Sequence, residues 1–304
     1  MATMTETFGT IFLEDLDRID VSIFDPSRGV VGESWHVDLH VSGPLDDNGF
    51  VQDFSPLKAE VKQAIKGSID HALIVPAGSP AVQTEDLGGE IHLRLTDHSG
   101  EKPFDWEYSA PREAVLHVGG ETVSTEAVEA AIATRLAETA AAHLTNIRVK
   151  LRAESAHPTE AFFSYTHGIT GHRGLCQRLL HGHRSRLKVE IDGERRPDLE
   201  HRLVTDVLGP SVHIGARWQI KSGPVEPYMR TSARDRKPVR LAYKGTLGSY
   251  YAVVPSDRFL LIDGETSIEN LTLFLAKYLQ RDYHDSKIAV SCYEGIGKGA
   301  LVEL

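Results

Sequence analysis

The sequence predicts an α+β chain built from two like units. Three observations carry this. Short runs with apolar residues at every second position alternate with amphipathic helical segments. The second half retraces the order of the first. The period of that retracing is about 140 residues, the size of a domain rather than of a solenoid repeat. The units are set at residues 1–155 and 161–304, with Ser155-Ala156-His157-Pro158-Thr159-Glu160 between them as a linker.

Composition narrows the class. The chain has 304 residues, 41% hydrophobic and 25% charged, as expected of a soluble globular protein. No apolar run approaches the roughly 18 residues of a membrane span, so no membrane partner is expected. The opening MATMTETFGTIFLEDLDRID is acidic and lacks the basic and apolar regions of a secretory leader. Two cysteines make no disulfide framework, and a cytoplasmic location is the expectation. The net charge of −10 argues against nucleic acid as a partner.

In the first unit, TFGTIFLEDL and IDVSIFD read as short strands. Trp35, Val37, Leu39 and Val41 alternate with polar residues as a further strand, and Asn48-Gly49 marks a turn. Ser55-Pro56 reads as an N-cap and first helical position, followed by Leu57, Val61, Ala64 and Ile65 on one face. Residues 77–120 hold an inserted hairpin, IHLRLTDHSG with FDWEYSA. A second helix, capped by Ser124 or Thr125, presents Val128, Ile132 and Leu136, and Asn146–Arg152 forms a last strand. The second unit repeats this order, with its own insertion within 207–260. Arg184–Ile191 corresponds to Ser34–Val41, and SKIAVSCYEG to TNIRVKLRAES, which sets Glu294 against Glu154.

Residues 161–193 concentrate the chemistry. They hold His167, His172, His181, His183 and Cys176, and from Ala161 to Val189 there is no acid at all. That gap leaves a local positive field suited to an anionic small molecule. His181 and His183 sit two apart on a strand and so share a face. A lone His-x-His more often reads as a surface pair. A third imidazole from His167, a nearby thiol and the missing acids favour a three-nitrogen zinc site with an open fourth position.

The motif Phe163-Ser164-Tyr165-Thr166-His167, then Cys176, then His181-Gly182-His183, resembles the 6-pyruvoyl-tetrahydropterin synthase and 6-carboxytetrahydropterin synthase family. The first unit resembles its middle portion, from Gly43 to Lys58 followed by Asp70-His71. The resemblance implies the tunnelling fold: tandem units, each an antiparallel sheet with two helices on one face. It implies Zn²⁺ on His167, His181 and His183, with Cys176 as catalytic base relayed by Asp70 and His71. It implies a homo-oligomer and lyase activity on 7,8-dihydroneopterin triphosphate or a related pterin. Glu294 would anchor the pterin ring. Arg173 and Arg178 would favour the Cys176 thiolate. Lys298, within Gly295-Ile296-Gly297-Lys298-Gly299, would cradle phosphate beside the glycine backbone.

Aligned, the halves lose complementary parts. Val31-Gly32-Glu33 stands where the second half has His181-Gly182-His183, Asp25 stands where it has His167, and the first half has no cysteine. The second half in turn lacks an Asp-His pair after Asp206. One full set therefore spans both halves, and the expectation is one site per chain, built between the halves or between neighbouring chains. Another zinc-dependent pterin aldolase or hydrolase, or a non-catalytic pterin- or purine-binding protein, would use the same pocket. The product, and whether it feeds a pterin or a queuosine-like deazapurine pathway, stays open.

Overall fold

The computed structural model describes residues 7–139, 144–155, 157, 159–209, 211–221 and 236–304. Ala156 and Pro158 of the expected linker, and 222–235 of the second insertion, lie outside the described residues. The first half runs β1 (Phe8–Asp25), β2 (Gly29–Pro44), α1 (Phe54–Ser68), β3 (Leu73–Pro76), β4 (Val82–Asp86), β5 (Glu90–Asp97), β6 (Phe104–Pro111), β7 (Val115–Val118), α2 (Thr125–Thr139) and β8 (Thr145–Ala153). The second runs β9 (Ala161–His167), β10 (His181–Ile191), β11 (Glu194–Arg195), α3 (Pro197–Leu203), β12 (Val212–Ala216), β13 (Pro238–Gly245), β14 (Gly248–Pro255), β15 (Phe259–Ile262), α4 (Ile268–Gln280), β16 (Ile288–Tyr293) and β17 (Gly299–Glu303).

The two main sheets have matching orders, β7-β3-β1-β2-β8 and β15-β12-β9-β10-β16-β17. Their central pairs are antiparallel, and β3, β7, β12 and β15 join in parallel. These are tunnelling-fold units, each with its own core. In the first, Val61 and Ile65 of α1 and Val128 and Ile132 of α2 pack on Val37, Leu39 and Leu151. In the second, Leu199 of α3 and Leu271 and Leu275 of α4 pack on Val189 and Val290.

Two sequence readings shift, and a third is narrowed. The two short opening strands are one strand, β1, with a ladder irregularity between Leu13 and Asp17 where Asp15 has φ 52. The cap of α1 is Asp53 rather than Ser55, because the Asp53 carboxylate accepts the Ser55 backbone N–H at 3.0 Å. Pro56 then sits inside the first turn, where no intrahelical donor is needed. Ser124 caps α2, accepting from the Ala127 backbone N–H at 3.2 Å.

The inserted hairpins do not stay with their own halves. Strand β14 pairs with β6, Ala252 against Tyr108, so both insertions form one sheet, β13-β14-β6-β5-β4. A third core lies beneath it, where Trp106, Tyr108, Leu241 and Tyr250 meet Phe24 and Val30 of one half and Leu179 and Leu180 of the other. The halves also meet directly. A Cβ on Gly32 would lie 2.4 Å from the His183 backbone nitrogen, and one on Gly182 would lie 2.7 Å from the Gly32 Cα. Only glycine at both positions lets the β1–β2 and β9–β10 hairpins cross this closely.

The crossing fixes the correspondence between halves. With Gly32 on Gly182, the ladders set Ile23 opposite Val31 as His167 is set opposite His181. The counterpart of His167 is therefore Ile23, not Asp25. In the same register Cys292 pairs with Leu187 as Leu151 pairs with Val37, so Glu294 stands where the first half has Ala153, one residue before Glu154. Spacing alone misplaced the first because the β1–β2 and β9–β10 turns differ in length.

Candidate functional site

His167 ends β9, and His181 and His183 begin β10, directly across the ladder from it. All three are fully buried. Each has one ring nitrogen set against an oxygen. His167 Nδ1 lies 2.6 Å from the Thr266 carbonyl, and His181 Nδ1 lies 2.6 Å from the Arg178 carbonyl. His183 Nδ1 lies 3.3 Å from Oδ1 of Asp20, a residue of β1 in the other half. An imidazole that donates through Nδ1 presents a lone pair at Nε2. The Nε2 atoms of His167 and His183 stand 3.2 Å apart, and Nε2 of His181 is buried with no hydrogen-bond partner. Burial, with the neighbouring His183, holds His167 well below the ordinary imidazole pKa. Burial, with His167 and His71 nearby, does the same to His181.

This donor set fits a divalent cation. Two nitrogens bound at about 2.0–2.1 Å to a tetrahedral ion stand about 3.3 Å apart, close to the observed separation. The ligand atoms of His167, His181 and His183 all lie within 4.8 Å of one another. The oxygen behind each ring is the arrangement that fixes tautomer and orientation in such sites. Asp20 is the participant that sequence reading missed. Burial opposes its charge, but His183, Lys298 and the Ser34 hydroxyl outweigh that and hold its carboxyl well below the usual range. Its signal in the sequence was an acid inside the apolar run Ile19 to Phe24, where a strand buried on both faces leaves no solvent for it.

Next to the imidazoles, the halves join a second group. Cys176 Sγ lies 3.4 Å from His71 Nε2, and His71 Nδ1 lies 3.0 Å from Asp70 Oδ1. The rings of His71 and His181 have centroids 4.9 Å apart. The expected Asp-His pair of one half and cysteine of the other therefore meet within a single chain. His71 is held in a left-handed backbone conformation, φ 60, as is Leu180 just before His181, φ 64. Such conformations cost about 1–3 kcal/mol and persist where surroundings over-determine them. At His71 its backbone N–H donates to the Asp20 carbonyl at 2.7 Å, and Arg178 Nη1 donates to the Asp70 carbonyl at 3.0 Å. Burial works to lower the His71 pKa, while Asp70 and Cys176 raise it to about 10.

The remaining expected residues lie around this centre. Glu294 closes β16, and Lys298 bridges it to the site, with Nζ 3.5 Å from Glu294 Oε2 and 3.3 Å from Asp20 Oδ2. The glycine-rich segment is the tight turn between β16 and β17, closed by the Glu294 N–H on the Lys298 carbonyl. Lys298 is thus held by two carboxylates. Arg173 is exposed on the loop before Cys176 and makes no hydrogen bond or ion pair among the described residues. Arg178 spans the halves through its Asp70 contact. Cys292, expected in a core strand, is fully buried in β16, and burial raises its thiol pKa. His213 is buried, with Nδ1 2.9 Å from the Thr166 hydroxyl, and stands outside both ligand groups.

Two tunnelling-fold sheets, with a buried polar site shared between them, define the class. Residues 20–158 match the family model described as 6-pyruvoyl tetrahydropterin synthase. The matched segment carries Asp70 and His71, whereas the three clustered histidines and Cys176 follow it. Among solved structures, the chain is similar to 6-pyruvoyltetrahydropterin synthase from Plasmodium vivax, at 20% identity and a TM-score of 0.36, over 49% of this chain and all of that one. It is also similar to the Plasmodium falciparum synthase, at 23% identity and a TM-score of 0.35, over 48% of this chain and 99% of that one. No curated protein matches the chain.

Proposed function

We propose that this chain is a zinc-dependent lyase acting on 7,8-dihydroneopterin triphosphate or a closely related pterin, with one site per chain drawn from two duplicated units, 1–155 and 161–304. The observation that carries the reading is the 3.4 Å contact between Cys176 and His71, beside three imidazoles whose Nε2 atoms converge. His167, His181 and His183 would hold the zinc. Bound there, zinc supplies a Lewis acid that lowers the pKa of substrate oxygens.

The chain's own residues supply the proton chemistry. His71 Nε2 holds the proton of the Cys176 thiol, and the thiolate Sγ left beside it takes the proton from a side-chain carbon. Asp70, on the far nitrogen, keeps the His71 ring oriented and stabilises its charged form. Glu294 accepts the N–H groups of the pterin ring, a carboxylate being suited to two parallel hydrogen bonds. Lys298 offsets the charge of Asp20 and Glu294. Arg173, exposed on the loop before Cys176, would meet the anionic triphosphate. We infer a homo-oligomer from the same family reading.

The test is metal content of the purified protein followed by incubation with 7,8-dihydroneopterin triphosphate. About one zinc per chain, lost in the His181→Ala/His183→Ala variant, with turnover in the wild type, is the expected result. Cys176→Ala should keep the zinc and lose turnover by about 10²–10⁴-fold, the range for a displaced acid–base group. Product analysis then separates pyruvoyl from carboxy chemistry, and either from an aldolase or hydrolase. Wild type without zinc, or Cys176→Ala with full turnover, sinks the proposal.

A further inference from the structure

The convergence around His181 has a second side. His181 belongs to two groups whose ligand atoms each lie within 4.8 Å of one another: His167, His181 and His183, and separately His71, Cys176 and His181. We propose that His71, Cys176 and His181 form an alternative cation position, selective for thiophilic divalent ions, whose occupation excludes the three-histidine position. The inference builds on the reading of the three histidines as a metal site.

The geometry supports this at each ligand. A thiolate sulfur at about 2.3 Å and an imidazole nitrogen at about 2.0–2.1 Å from a tetrahedral ion stand about 3.5 Å apart. Cys176 Sγ and His71 Nε2 are 3.4 Å apart. His71 Nδ1 faces Asp70 at 3.0 Å, and His181 Nδ1 faces the Arg178 carbonyl at 2.6 Å, so both rings have an oxygen behind them. His181 Nε2 is buried and unpartnered. It carries one lone pair and so serves one ion at a time. The two positions are therefore alternatives that share the same imidazole.

Ligand chemistry separates their occupants. Three neutral imidazoles suit borderline ions. A set with one thiolate favours softer ones, such as cadmium. Binding at the second position releases the Cys176 thiol proton, and any proton on His71 Nε2, to solvent in exchange for the cation. An ion there occupies both groups assigned to proton transfer, so it also stops turnover.

The experiment is titration of metal-free wild type, Cys176→Ser and His183→Ala proteins with zinc and with cadmium chloride. Bound metal and thiolate-to-metal ultraviolet absorption are followed together. The proposal expects wild type to take about one cadmium per chain with thiolate absorption. Cys176→Ser should bind cadmium without that absorption. His183→Ala should keep it while losing zinc affinity. Cadmium should abolish turnover of the zinc-loaded wild type, and a chelator followed by zinc should restore it. Wild type that binds cadmium with no thiolate absorption overturns the proposal, whatever His183→Ala does. Failure of the zinc site reads out separately: wild type that binds no zinc removes the three-histidine reading, whereas the thiolate absorption alone decides this one.

Discussion

Asp20 shows how far a single side chain reaches across this molecule. Its Oδ1 meets His183 Nδ1 at 3.3 Å and accepts the Ser34 hydroxyl at 2.6 Å, while its backbone N–H donates to Asp70 at 3.1 Å. It touches both the imidazole cluster and the Asp-His pair. Replacing it by Asn keeps its shape but removes the charge behind His183. Outer partners of this kind are worth about 10–100-fold in metal affinity. Asp20→Asn should therefore weaken zinc binding by that factor, measured by chelator competition, while leaving the far-ultraviolet circular dichroism unchanged. Unchanged affinity would mean that His183 is positioned by its strand alone. At this scale the sequence was most legible where residue types are chemically committed. Three histidines, a cysteine and an Asp-His pair announce themselves by spacing. Asp20 does not, because its role depends on which strand of the other half crosses β10.

Among the elements, the crossing of β2 and β10 decides whether a shared centre exists at all. Gly32 carries it, since any Cβ there meets the Tyr165 carbonyl and the His183 backbone. Gly32→Val should separate the hairpins and weaken metal binding together with stability, by several kcal/mol as for other overpacked cores. Parallel thermal melts and metal titrations check this, and a variant with wild-type melting and affinity refutes it. Helix positions and strand alternation were readable in advance, as α2 with Val128, Ile132 and Leu136 shows. Exact pairings were not. The Glu294 counterpart slipped by one residue and the His167 counterpart by two. Register depends on turn length and on contacts between halves, neither of which periodicity encodes.

For the molecule as a whole, the joined insertion sheet fixes one half against the other. Asp97 of β5 is its buried tie. It meets Arg236 Nη2 at 2.6 Å and accepts from the Trp106 indole at 3.1 Å, and Arg236 also reaches Asp257 at 3.2 Å. Burial opposes the Asp97 charge, but its bonds to Ser99 and Trp106 and the Arg236 charge prevail and lower its pKa. A carboxyl depressed on folding stabilises above its unfolded pKa of about 3.9, and that contribution is lost as pH falls through the folded value. The melting temperature should thus drop as pH falls below about 4. Asp97→Ala, which leaves Arg236 its Asp257 contact but removes its 2.6 Å partner, should cost about 1–3 kcal/mol at neutral pH and flatten the acid limb of the profile. A mutant with the wild-type acid limb would assign the pH dependence elsewhere. This joint was not legible in advance, because β14 and β6 lie in different halves and nothing local links them.

The near-match of the two hairpins at the Gly32–Gly182 crossing has an evolutionary consequence. In a dimer of identical chains, every substitution is made on both sides of the axis at once, so a change that improves one pocket is forced on its twin. Joined in one polypeptide, the two faces mutate independently. Ile23, Val31 and Glu33 occupy the places of His167, His181 and His183, and that exchange is open only to a chain whose other face still holds the imidazoles. Such a lineage can relax one pocket into scaffold, or turn it to a new ligand, without passing through an inactive ancestor.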